Sequence, residues 1–120
     1  MFAFAVILER QSAFPHTPLY MEVNMKKDDN MDYLFKAVLS LKTVDECYAF
    51  FEDLCTPQEL KAISQRLHVA KLLTENCVYN DIVKMTGAST ATISRVNKTL
   101  NYQAAGGYQI VFDRMEEDEK

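Results

Sequence analysis

From Asn30 onward, apolar residues return every three or four positions, with Leu34, Phe35, Val38, Leu39 and Leu41 forming a first stripe. That spacing puts them on one face of a helix, which the pattern predicts to end near Leu41. Thr43-Val44-Asp45-Glu46 follows with the form of a capping box, in which Thr43 accepts from the third helical backbone N–H and Glu46 reaches back. A second helix then runs through Ala49, Phe50 and Leu54. Thr56-Pro57-Gln58-Glu59 repeats the device more strongly, because proline at the first helical position loses no hydrogen bond and has its φ already set. The third helix carries Leu60, Ile63, Leu67, Ala70 and Leu73 and reaches about Glu75. Two helical patterns between Asn80 and Leu100 meet at Thr86-Gly87-Ala88, and a short last helix, roughly Tyr108 to Met115, follows the turn at Gly106-Gly107. No stretch of any length alternates as a strand would, so the fold class is all-α.

The remaining segments lack this periodicity. Residues 1–29 hold Pro15, Pro18 and scattered aromatics, and are read as an irregular N-terminal extension to a helical domain over 30–115. Glu116 to Glu119 would be an acidic, solvated tail, 116–120. Met1 to Leu8 is apolar, but no basic region precedes it and Glu9 and Arg10 follow at once, a poor secretory signal. No apolar run approaches the roughly 20 residues that span a bilayer, so no membrane partner is expected.

Composition changes the picture in two respects. At 120 residues and 48% hydrophobic, the chain suffices for one core. The net charge of −4 argues against a nonspecific nucleic-acid coating protein. Its distribution is more telling: residues 1–56 carry 5 basic and 9 acidic side chains, 57–105 carry 6 and 3, and 106–120 carry 2 and 5. The middle is positive between negative ends. Cys47, Cys55 and Cys77 are an odd set without a C-x-x-C pair, which indicates neither a disulfide framework nor a zinc site and fits a reduced, cytoplasmic protein.

The candidate chemistry lies between Tyr79 and Leu100. Glycine at position 87 can supply the positive φ that a tight interhelical turn requires, the signature of a helix-turn-helix. With the turn there, Ile82 falls on the inner face of the first helix, and Ile93 and Val96 on that of the second. The outward face of the second then carries Ser89, Thr90, Ala91, Ser94 and Lys98, small or hydrogen-bonding groups and one cation, suited to close approach to a major groove. A competing reading is an ordinary surface helix. Six of the eight residues after Gly87 are Ala, Ser or Thr, and serine and threonine are middling helix formers that prefer caps, so a purely structural helix has little reason to choose them. Short side chains do let a helix N-terminus approach DNA.

Two runs, T-P-Q-E-L-K-A-I-S-Q-R-L from Thr56 to Leu67 and T-G-A-S-T-A-T-I-S-R from Thr86 to Arg95, resemble the Trp-repressor superfamily. With Asn101-Tyr102 and Gly106-Gly107-Tyr108, the chain is similar to its YerC/YecD branch, over about Asn30 to Arg114. The resemblance implies an intertwined homodimer whose recognition helices enter successive major grooves of double-stranded DNA at a palindromic operator. It places phosphate contacts at the start of the motif, on Tyr79, Asn80 and Lys84; Asn80 is equally suited to cap that helix. It also implies a tryptophan pocket between the third helix and the recognition helix, carried over to Thr56, Arg66, Thr92, Arg95 and Thr99. Two positions depart from it: Val96 stands where the family has a glycine over the indole plane, and Thr99 where it has a serine. Overpacking of that kind costs about 1 to 3 kcal/mol, against about 8 kcal/mol for a whole micromolar affinity. The expectation is therefore that no tryptophan-like corepressor is held, with Val96 filling the pocket from within.

The reading that results is a sequence-specific transcription regulator, a repressor. Its rival is an assembly module whose helix-turn-helix contacts protein. Neither a Ser/His/Asp order, paired carboxylates, a phosphate-cradling glycine loop nor metal-ligand spacing points to an enzyme. His68, on the third helix, is read as a partly exposed helix residue.

Overall fold

A computed structural model describes residues 28–102 and 105–119, which form six helices: α1 (Asp29–Leu39), α2 (Val44–Leu54), α3 (Pro57–Thr74), α4 (Tyr79–Thr86), α5 (Thr90–Asn101) and α6 (Gly107–Glu119). The expected apolar N-terminal stretch, and the extension as far as residue 27, lie outside the described residues. Among these, no helix is long and apolar enough to cross a membrane.

Local chemistry sets most of the boundaries. Asp28 caps α1, its Oδ1 accepting from the Met31 N–H at 2.7 Å, so the first helix starts at Asp29, one residue before the expected onset of the helical pattern. Thr43 caps α2 by accepting from the Glu46 N–H at 3.1 Å. The box expected there is offset, because Glu46 accepts from the Lys42 N–H, at 3.0 Å, instead of from Thr43 itself. At α3 the box is complete: Thr56 accepts from the Glu59 N–H at 3.2 Å and Glu59 from the Thr56 N–H at 2.9 Å. The Thr56 backbone N–H first, and the Thr56 hydroxyl beside it second, hold the Glu59 carboxyl below the ordinary carboxylate range. The box therefore contributes fully at neutral pH and loses its carboxylate half as pH falls through that lowered value.

Helix α3 ends in a Schellman arrangement. Asn76 takes φ 65°, a left-handed conformation that asparagine tolerates better than other side chains, and the N–H groups of Asn76 and Cys77 close on the carbonyls of Leu73 and Leu72, each at 3.1 Å. At the other end of the domain, α6 runs past the expected Met115 to Glu119. Glu116 to Glu119 are thus exposed residues within that helix. A helix projecting into water keeps these carboxylates hydrated whether or not it frays, so their acidity does not stop it.

The core is small and belongs to the second half of the chain. Val69, Ala70 and Leu72 of α3, Ile82 of α4, Ala88 of the turn, Ile93 and Val96 of α5 and Phe112 of α6 are buried together. Tyr108 stacks on Phe112 with ring centroids 5.9 Å apart, and Lys71 places its ammonium 5.4 Å from the Phe112 ring. The stripes on α1 and α2 behave otherwise. Neither helix has a buried residue, and Leu39 is 81% exposed. Ile63 and Leu67, on the N-terminal half of α3, are exposed as well. A period-3.6 stripe demands a covering surface but does not say which one.

Ile82 is fully buried at the α3–α4–α5 junction. Ile82→Ala is expected to lower the unfolding free energy by about 2 to 5 kcal/mol, measured by urea denaturation at fixed protein concentration, while Ser64→Ala, on an exposed face of α3, should change it by no more than about 0.5 kcal/mol.

Candidate nucleic-acid interface

The segment from α4 to α5 is built by a tight turn over residues 87–89. Gly87 sits at φ 72° and its N–H donates to the Val83 carbonyl at 2.8 Å, closing α4. Thr86 works from the other side: its hydroxyl donates to the Ile82 carbonyl at 2.7 Å and accepts from the Ala88 N–H at 3.0 Å. Ala88 points into the core. Ser89 then caps α5, accepting from the Thr92 N–H at 3.1 Å, with its hydroxyl 3.1 Å from that of Thr92. Helix α4 lacks such a cap. Val78 occupies its N-cap with no side-chain bond, so Asn80 is an exposed residue of the first turn and not the cap it could have been.

On α5 the two faces separate cleanly. Ile93 and Val96 are buried, whereas Thr90, Ala91, Ser94, Arg95 and Lys98 are exposed. Ser89 is exposed too, with its oxygen committed to the cap. The first turn of α5 has no acidic residue, so the positive end of the helix dipole is left open toward an anion. Lys84 on α4 is exposed, and Tyr79 is half-buried against the core. Among the described residues the one ion pair is Lys71–Glu75 at 3.9 Å, so no carboxylate there neutralises Lys84, Arg95 or Lys98. The outcome is an exposed face of short polar side chains with Arg95 and Lys98 on the same helix and Lys84 on α4.

The six candidate pocket residues lie on α3 and its cap and on α5. Thr56 caps α3, Thr92 belongs to the α5 cap, and Arg66 and Arg95 are exposed. Val96 is 2% exposed within the core. Thr99 donates to the Arg95 carbonyl at 3.1 Å and borders an apolar cleft of about 500 Å³, shared with Leu67, Leu100, Gly106, Tyr108 and Val111. Of the six, Thr99 alone borders it. Gln65 was not singled out from the sequence, yet its side-chain amide donates to the Thr86 carbonyl at 3.2 Å. Periodicity carries no signal for a bond between residues 21 positions apart.

The sequence profile of the Trp repressor protein family matches residues 29–116, from the first residue of α1 into α6. The chain belongs to the Trp repressor family. This Trp-repressor-family chain is 46% identical over 99 residues to the uncharacterized protein YerC of Bacillus subtilis (strain 168), covering 82% of the chain and 94% of that protein. It is also similar to two crystal structures. A TrpR-like protein from Eubacterium eligens superposes with a TM-score of 0.72 at 54% identity, over 75% of this chain and 92% of that one. A candidate Trp repressor from Staphylococcus aureus gives 0.73 at 42% identity, over 78% and 96%. Family and fold are those of DNA-binding regulators, not of enzymes.

A Cβ at position 87 would meet nothing within 4 Å, so the cost of a side chain there is conformational and not steric. Gly87→Ala is expected to cost about 1 to 2 kcal/mol and Gly87→Asn distinctly less, since asparagine visits the left-handed region. Urea denaturation of both variants checks the ordering; equal losses would contradict it.

Proposed function

We propose that this chain is a sequence-specific, DNA-binding transcription repressor that acts in the cytoplasm as a homodimer on a palindromic operator, with α4, the turn and α5 as its helix-turn-helix. The observation that carries the reading is the division of α5. Its Ile93/Val96 face is locked into the core while Thr90, Ala91, Ser94, Arg95 and Lys98 stand free. A helix whose exposed face is small, polar and cationic can enter a major groove without steric conflict.

Roles follow from position. Thr90, Ala91 and Ser94, on the exposed side of the first turns of α5, face base edges. Lys98, one turn further on, and Lys84, Asn80 and Tyr79 on α4 meet the phosphate backbone. Ser89 contributes by orienting the N-terminus of α5 toward a phosphate. Support for the homodimer comes from the uncovered apolar side chains of α1, α2 and the start of α3, among them Leu39, Val44, Tyr48, Leu54 and Ile63, because such a collection on a soluble surface calls for a covering partner. Tryptophan is not the effector in this reading, because Val96 occupies the core beside α3, where the resemblance would place the indole plane.

Gel-shift titration against duplexes selected from a random pool is expected to give a sequence-selective complex at two chains per palindrome. Complexes with protein partners but none selective for DNA would favour an assembly module instead. Lys98→Ala should weaken binding to all duplexes alike and reduce the magnitude of the logarithmic salt slope by about one; an effect confined to one base position would contradict its assignment to phosphate. Calorimetric titration with L-tryptophan should show no saturable heat, and tight stoichiometric binding would refute the account of Val96.

A further inference from the structure

We infer that Gln65 is a positioning residue for DNA reading, fixing the orientation of α5 by gripping the pivot between α4 and α5; this rests on the assignment of α5 as the recognition helix. Its Nε2 donates to the Thr86 carbonyl at 3.2 Å in a partly buried setting. Thr86 is the last residue of α4, so its carbonyl has no acceptor role within the helix. Every other side-chain hydrogen bond among the described residues reaches four positions or fewer, whereas this one spans 21. Among the described residues it is the single directional link from α3 to the turn.

Directionality is what the apolar contacts lack. Ile82, Ile93 and Val96 hold α4 and α5 against Val69, Ala70 and Leu72, but burial rewards contact without regard to rotation. A hydrogen bond weakens steeply once its angle departs from linearity. The gripped peptide adjoins Gly87, the residue with the freest backbone in the turn, and the same Thr86 uses its hydroxyl to hold the Ala88 N–H at 3.0 Å. From Gln65 the restraint therefore passes through Thr86 to Ala88 and on to Ser89, where α5 begins. Releasing it leaves a folded core with a recognition helix free to rock. Sequence-selective contacts tolerate that poorly, since they require side chains held within about 0.5 Å; phosphate contacts made through long lysines tolerate it well.

The test uses Gln65→Leu, which keeps bulk and removes the donor, and Gln65→Glu, which keeps shape and sets an ionised carboxylate against the carbonyl. Each is compared with the wild-type chain under conditions where circular dichroism shows both fully folded. Affinity for the selected operator is expected to fall roughly three- to tenfold, the range a net hydrogen bond supplies, with affinity for nonspecific duplex and its salt slope unchanged. Amide hydrogen exchange at Ala88 should quicken by a similar factor, without DNA present. A lowered melting temperature with the operator-to-nonspecific ratio preserved would make Gln65 merely structural and overturn the inference. So would unchanged exchange at Ala88. If the wild-type chain itself shows no sequence preference, the proposed function fails, and unchanged or quickened exchange at Ala88 still decides whether Gln65 orders the turn.

Discussion

Seating α5 on the C-terminal half of α3 constrains everything else in the functional half of the molecule. Val69, Ala70 and Leu72 present a short apolar floor, and Ile93 and Val96 occupy it with Ile82 and Ala88 closing the sides. Because these residues are mutually buried, one face of α5 is committed to the core, and the polarity of the opposite face becomes meaningful. The exposed face of Thr90, Ala91, Ser94, Arg95 and Lys98 is available to a ligand because the other side of the same helix is not. A floor of so few residues leaves little redundancy. Its stability comes from the joint burial of all of them, with the caps at Thr56 and Ser89 and the left-handed turn at Gly87 fixing where each helix begins and stops.

The N-terminal helices obey a different constraint. Helices α1 and α2 are properly capped and carry periodic apolar residues, yet none of those residues is buried within the chain. Their side chains would lose the benefit of removal from water if the chain remained alone. The proposed homodimer would cover them, since a second copy presents the same exposed stripes. The two halves of the chain thus divide the work: one is closed upon itself and presents polar groups, the other is open and presents apolar ones.

Much of this was legible beforehand. The complete box at Thr56, the turn at Gly87 and the inward Ile82, Ile93 and Val96 followed from spacing and local propensity, which act over a few residues. Local rules also account for the misjudged details. Glu46 reaches Lys42 instead of Thr43, and α6 continues into its acidic end. Each is a competition between neighbouring conformations of similar energy, where composition gives no decisive preference.

By itself, the sequence determined that the chain is helical, where its helices start, and which face of α5 is apolar, because hydrogen bonding within a turn and 3.6-residue periodicity are local. The tertiary structure alone decided three other things. It left apolar residues of α1 and α2 exposed, buried Val96 in the core, and tied Gln65 to Thr86. These are relations between residues far apart in the chain. They depend on how helices pack in three dimensions, and a pattern along one dimension fixes the faces of helices without fixing what those faces meet.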